Sequence, residues 1–253
     1  GVLRDMFQNH MMQLLALLAM EPPSRFKAEQ VRDERIKVFR SLRPFSTENI
    51  PDHLVLGQYD SGRIEGKNVQ AYRKETGVDP DSLVPTFARM KVFLDNWRWQ
   101  GVPFYLTSGK RLAKKTTEIS IQFKDVPHSM FRQVLGETIN ANRITLGIYP
   151  EENITLTFQT KQPGAKVCLR PVTMNFDYHQ NDAGPVLEAY EKVLLDCILG
   201  DHMLFWRQDG IERCWWFLTP ILEACEFCDD RGRKLHFYDS GSWGPKEAAN
   251  LEP

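Results

Sequence analysis

Arg143-Ile-Thr-Leu-Gly-Ile-Tyr-Pro-Glu-Glu-Asn-Ile-Thr-Leu-Thr-Phe-Gln159 decides the fold class. Ile144-Thr-Leu-Gly-Ile148 and Ile154-Thr-Leu-Thr-Phe158 alternate apolar with small or polar residues at period two, and they are rich in β-branched side chains, the pattern of half-buried strands. Pro150-Glu-Glu-Asn153 between them is a turn. A connection this short joins antiparallel neighbours, because a parallel pair needs a crossover of about a dozen residues or more. Ile119–Phe123 and Lys166–Tyr178 carry the same alternation on either side. A short strand is also expected at Pro51–Gln58 and another at Phe104–Thr107.

Helical patterns flank this strand-rich centre. Gly1–Met20 places apolar residues at 3, 6, 7, 14, 15, 17, 18 and 20, and Pro22-Pro23 ends the run because proline lacks the amide hydrogen and disfavours helix in its predecessor. Phe26–Arg40 reads as a surface-lying amphipathic helix. The spacing of Phe87, Met90, Phe93, Leu94 and Trp97 predicts a further helix over 86–100, with those side chains inward. Helices are also expected over 185–198, stopped by Gly200-Asp201, and over 211–225, where Pro220 marks a kink. Between Asp60 and Asp81 the composition turns polar and glycine-bearing, which predicts an exposed loop. Tyr238-Asp-Ser-Gly-Ser-Trp-Gly-Pro245 closes the chain in a tight aromatic turn. The architecture these segments imply is α+β: a large, mainly antiparallel sheet with helices packed on one face, in a single domain over 1–253.

Composition narrows the class. Lys and Arg number 32 against 33 Asp and Glu, so no global field recruits nucleic acid or an anionic membrane. No apolar run approaches the roughly 20 residues of a membrane span. Five cysteines, an odd number, point to reduced thiols and a cytoplasmic setting. Cys225-Glu-Phe-Cys228 has no second pair and no histidine at zinc spacing, and it follows a helical run, so it reads as structural and no metal is expected.

The first helix carries an unusual polar cluster: Arg4, Asp5, Gln8, Asn9 and His10. Under α-helical winding Asp5 and Asn9 share a face one turn apart, with His10 about 100° from Asn9. Carboxylate, amide and imidazole at one corner can hold a hydroxyl-bearing ligand and take a proton from it. An ordinary N-terminal turn, with its acidic residue at the positive end of the helix, accounts for the same residues. A second basic group follows the strand at 104: Gly109-Lys110-Arg111, then Lys114 and Lys115.

Arg4-Asp-Met-Phe-Gln-Asn-His10 with its leucine-rich continuation and Ala-Met-Glu-Pro-Pro23 resembles the glucose-6-phosphate dehydrogenases. So do Asn96-Trp-Arg-Trp-Gln-Gly-Val-Pro-Phe-Tyr-Leu-Thr-Ser-Gly-Lys110-Arg-Leu112, Arg170-Pro-Val-Thr-Met-Asn-Phe176 and the stretch from Ser240-Gly-Ser-Trp-Gly-Pro to Ala249, in family order along nearly the whole chain. The resemblance implies the substrate-binding and dimerisation part of an NADP-dependent oxidoreductase of the pentose phosphate pathway, oxidising glucose 6-phosphate at C1. It places His10 at the catalytic base and Asp5, Lys110 and Lys115 at substrate contacts, and it matches Gln58-Tyr-Asp-Ser-Gly62 to an extended family segment. An imidazole, with an ordinary pKa of about 6.5, suits proton removal near neutral pH. His53, His128, His179, His202 and His236 match no family motif and read as surface or locally satisfied groups.

The resemblance also implies what should lie elsewhere. No G-x-G-x-x-G and no βαβ alternation occurs in these residues, so NADP is expected to be bound by a Rossmann domain outside them and no cofactor-binding residue is assigned here. The chain opens on Gly1 in mid-motif, as a piece of a longer protein does, and by itself is expected to be inactive. Thr107, Thr116, Ser120 and Gly147 stand where animal members place basic contacts to a second, structural NADP, so that site is expected to be absent, as in a bacterial-type member. The partners implied are glucose 6-phosphate and a second copy of the chain, as a homodimer or a dimer of dimers. The alternative reading is a non-catalytic sugar-phosphate-binding or structural dimerisation module.

Overall fold

A computed structural model describes residues 1–125, 140–164, 168–178, 188–226 and 234–251. They form two compact units, Gly1–Ala113 with Glu188–Pro253, and Lys114–Leu187.

The first unit opens with a π-helix, Leu3–Met11, that runs directly into helix α1, Met12–Ala19. Helix α2 covers Ala28–Arg40. Strands β1 (Leu54–Asp60), β4 (Phe87–Val92) and β5 (Phe104–Gly109) follow, with a small ribbon of β2 (Gly62–Ile64) and β3 (Lys67–Val69) between β1 and β4. Helices α3 (Ala189–Leu199) and α4 (Gln208–Glu226) and strand β10 (Leu235–Asp239) complete it. The main sheet has the order β10-β1-β4-β5. Its β1–β4 and β4–β5 pairs are antiparallel, whereas β1 and β10 run parallel, Leu56 opposite Leu235 and Tyr59 opposite Tyr238.

Alternation along β1 and β4 serves two cores. Ala88, Met90 and Val92 join Leu3, Phe7, Met12, Leu15, Leu218 and Ile221 in the larger core beneath the helices. Val55, Tyr59 and Phe87 join Tyr238, Ala248 and Leu251 in a smaller one. Helix α4 contributes Cys214, Phe217, Leu218, Ile221 and Leu222, all buried at three- and four-residue steps, and Pro220 lies within its continuous span.

No helix forms over 86–100: Phe87–Val92 is strand β4, and the residues after it form a bridge at Leu94 and a turn. Phe87, Met90, Leu94 and Trp97 mimic helical spacing, but Ala88, Met90, Val92 and Leu94 alternate with Arg89, Lys91 and Phe93, and pairing on both edges lets period two win. Trp97, expected inward, is 103% exposed. The predicted loop at 60–81 holds the β2–β3 ribbon and a short 3₁₀ turn at Tyr72–Lys74. Strand β10, for which no local pattern is expected, runs into the closing turn and shares Tyr238 and Asp239 with it. Gly200, with φ of 71°, ends α3 as its left-handed cap.

The second unit is an antiparallel meander of β6 (Thr117–Gln122), β7 (Arg143–Tyr149), β8 (Asn153–Lys161) and β9 (Leu169–Asp177), in that order. The turn anticipated at Pro150–Asn153 joins β7 to β8. Gly147 has a local reason to be glycine: a Cβ there would lie 2.7 Å from the Asn153 side-chain oxygen and 2.8 Å from the Glu151 carbonyl. The α+β class holds, with the strands divided among two four-stranded sheets and one ribbon among the described residues.

Candidate functional site

The candidate base sits on the π-helix, whose winding changes which residues share a face. The Met12 amide donates to the Phe7 carbonyl, five residues back. Such bonding winds the chain at about 80° per residue, against 100° for an α-helix. Leu3, Phe7 and Met12 are all buried, and Leu15, Ala16 and Ala19 continue the stripe. In an α-helix, Leu3 and Met12 would stand about 180° apart; the wider winding brings them within roughly 20°. The core therefore selects the π form, because it alone buries both ends of the stripe. The polar face shifts with it. Asp5 and His10, about 140° apart in an α-helix, come within roughly 40°, with Asn9 about as far on the other side of Asp5. The expectation that Asp5 and Asn9 share a face holds; the wider winding adds His10 to it.

All three side chains are solvent-facing. Asn9 is oriented: the indole N–H of Trp206, a donor only, reaches its side-chain oxygen at 2.9 Å, so the Asn9 NH₂ points away from the tryptophan. Trp206 stacks on Phe39 at 5.5 Å between ring centroids and lies under the Arg35 guanidinium at 5.8 Å. Among the described residues the His10 ring has no hydrogen-bond or ionic partner, and here it differs from the other described histidines. His53 pairs with the Lys91 carbonyl at 3.1 Å, His202 with Glu29 at 2.8 Å and His236 with Glu247 at 3.5 Å. His128 and His179 lie outside the described residues, as does Cys228 of the Cys-x-x-Cys pair.

Lys110 follows β5 in the same unit. Its amide donates to the Thr86 carbonyl at 2.9 Å, and the neighbouring Pro85 carbonyl accepts the Val2 amide at 3.3 Å. The head of the π-helix and the Lys110 backbone are thus tied to adjacent residues of one segment. Gln58, wholly buried in β1, holds that segment from behind. Its NH₂ donates to the carbonyls of Ser82 (3.0 Å) and Val84 (2.9 Å), and its oxygen accepts from Arg73 Nε at 2.8 Å. Lys115 belongs to the second unit, its ammonium 5.1 Å from the centroid of the Tyr149 ring. The two lysines, one basic group in the sequence, belong to different units.

Residue-by-residue reading passes over Trp206, takes Tyr238 only as part of the closing turn, and takes Gln58 only as the end of a short strand and part of a family segment. An amide in an otherwise apolar strand, Leu54-Val-Leu-Gly-Gln-Tyr59, is the one local signal that could have singled out Gln58, since a buried polar group implies partners.

Residues 1–252 match the family described as glucose-6-phosphate dehydrogenase, C-terminal domain. The chain belongs to that family. A glucose-6-phosphate 1-dehydrogenase of Chlamydia pneumoniae is 45% identical over 253 residues, 99% of this chain and 48% of that protein. One of Aggregatibacter actinomycetemcomitans is 43% identical over 251 residues, 99% of this chain and 49% of that protein. Among solved structures, glucose-6-phosphate dehydrogenase in complex with its substrate glucose 6-phosphate superposes with a TM-score of 0.87 at 33% identity, over 99% of this chain and 49% of that one. The enzyme from Mycobacterium avium gives 0.80 at 33% identity, with the same coverage. The chain spans about half the length of the relatives it matches.

Proposed function

We propose that residues 1–253 act as a single substrate-binding and dimerisation domain of an NADP-dependent dehydrogenase that oxidises glucose 6-phosphate at C1 to 6-phosphoglucono-lactone. Family membership together with the convergence of Asp5, Asn9 and His10 on one face of the π-helix carries the reading. His10 is the general base: it accepts the proton of the C1 hydroxyl while hydride leaves the same carbon, so that the C–O bond becomes the lactone carbonyl. Asp5 accepts hydrogen bonds from sugar hydroxyls, and Lys110 and Lys115 are the cationic substrate contacts. The parallel pair β1 and β10 is not the short crossover whose glycine turn cradles a pyrophosphate, which supports a hydride-acceptor site outside the described residues.

The same reading makes the enzyme a cytoplasmic homodimer or dimer of dimers. Exposed Met174 and Phe176 on β9 and Tyr178 just beyond it support a sheet-borne interface, and no helix among the described residues is long and apolar enough to cross a membrane.

Two assays test it. The 253-residue chain incubated with NADP and glucose 6-phosphate should show no turnover; clear activity would show that the nucleotide site has been misplaced. In the whole enzyme, His10→Asn should lower kcat about 10²- to 10⁴-fold with little change in the glucose 6-phosphate KM. A kcat within a few-fold of the parent would remove His10 from the role of base.

A further inference from the structure

Lys110 is followed by Arg111, whose φ of +55° lies in the left-handed region that residues other than glycine enter at a cost. Such a turn persists only where its surroundings determine it, and the closing segment 238–242 supplies the restraint. Gly241 donates its amide to the Arg111 carbonyl at 2.8 Å, and the Ala113 amide donates to the Ser242 carbonyl at 2.8 Å. The Lys110 carbonyl accepts the phenolic O–H of Tyr238 at 2.8 Å. The Lys110 amide and carbonyl and the Arg111 carbonyl are thus all hydrogen-bonded, to Thr86, Tyr238 and Gly241 in turn.

The tyrosine is itself held in one sense. Tyr59, Thr86 and Tyr238 are all buried. The Tyr59 amide donates to Thr86 Oγ1 at 3.0 Å, and Thr86 Oγ1 lies 3.2 Å from the Tyr238 hydroxyl. An amide can only donate and a carbonyl can only accept, so both hydroxyl protons have one consistent arrangement: Tyr59 N–H to Thr86 Oγ1, Thr86 O–H to Tyr238 Oη, Tyr238 O–H to the Lys110 carbonyl. Burial pushes the Tyr238 phenol up to about 12, so it keeps the donated proton throughout the neutral range.

We propose that Tyr238 is a positioning residue for substrate binding: through the directed relay from Tyr59 and Thr86 it holds the left-handed Lys110–Arg111 turn and so presents the Lys110 ammonium to the phosphorylated sugar. The proposal rests on the reading of Lys110 as a substrate contact, and it gives the aromatic closing turn a part in binding.

Steady-state kinetics of the whole enzyme carrying Tyr238→Phe, Lys110→Met and both together test it. Tyr238→Phe removes one oxygen and keeps the ring packed. It should raise the glucose 6-phosphate KM about two- to tenfold, the range of one hydrogen bond's net worth, with kcat within about twofold and the coenzyme KM unchanged. Lys110→Met should raise the same KM further, and the double variant should match Lys110→Met alone, since positioning an absent ammonium has no effect. Thr86→Val, which takes the relay from its other end, should move KM in the same direction and likewise add nothing to Lys110→Met; it carries the test if the phenylalanine chain fails to fold. The proposal is overturned if Tyr238→Phe leaves KM unchanged, or raises it equally with and without the lysine. If Lys110→Met leaves KM unchanged, the substrate reading of Lys110 is itself wrong, and the positioning role falls with it.

Discussion

Replacing Met12 by alanine probes the π-helical winding on which the proposed site depends. Met12 is fully buried in the larger core with Leu3, Phe7 and Leu15, whereas its neighbour Met11 is only partly buried. Truncating a buried methionine loses its transfer free energy and leaves a cavity, together about 2–5 kcal/mol. A partly exposed methionine should lose less than about 1.5 kcal/mol, because water already reaches part of the side chain. Against a domain stability of about 5–15 kcal/mol, Met12→Ala removes a large share and Met11→Ala a small one. Equilibrium urea unfolding of the two variants, followed by circular dichroism with equal m-values, reads the difference. In an α-wound helix Met12 would stand opposite Leu3 and lose that burial, so equal or reversed costs would refute the winding. The convergence of His10 with Asp5 would be refuted with it.

Gln58→Met keeps the volume but removes the partners of the Ser82 and Val84 carbonyls and of Arg73; we expect a loss of about 3–5 kcal/mol by urea unfolding, together with faster exchange of the Val2 amide at the head of the π-helix, and a loss under 1 kcal/mol would contradict the role given to Gln58. Hydrogen bonds from Arg43 hold the Asp95 carboxyl below its ordinary range, so the unfolded chain takes up that proton at a higher pH than the folded one. The stability from this pair is complete above the ordinary carboxylate range and is lost as pH falls through the lowered pKa; Arg43→Met should flatten the acid limb of the stability–pH curve, and an unchanged limb would show the pair contributes nothing. Burial pushes the Cys214 thiol up to about 12, so it should resist a disulfide-exchange reagent in native protein and react on unfolding, whereas modification of Cys214 at the rate of exposed Cys168 would contradict its burial.

What was legible and what was not divides along chain distance. The β7–β8 hairpin, helices α2 and α4 and the glycine stop of α3 follow from signals within a dozen residues: alternation, helical stripes and turn residues. Strand β10 carries no such signal, because Leu235–Asp239 is a strand only through pairing with Leu54–Asp60, far away in the chain. Phe87–Val92 holds both periods at once, and pairing with β1 and β5 chooses between them. Of the candidate site, His10, Asp5, Lys110 and Lys115 are legible only through family likeness; their residue types alone favour an ordinary helix start and solvated lysines.

By itself the sequence determined the α+β class, the family and the side chains available for proton transfer and phosphate binding, since those depend on composition, local period and motif. Only the tertiary structure decided that the first helix winds as π, that Trp206 turns the Asn9 amide, and that the closing segment clamps the turn at Lys110. Each of these is set by contacts with residues remote in the chain: Leu3 and Met12 must both reach a core shared with Met90 and Leu218, and a buried tyrosine must find a carbonyl. No local pattern encodes such requirements, because they arise only once the layers have packed.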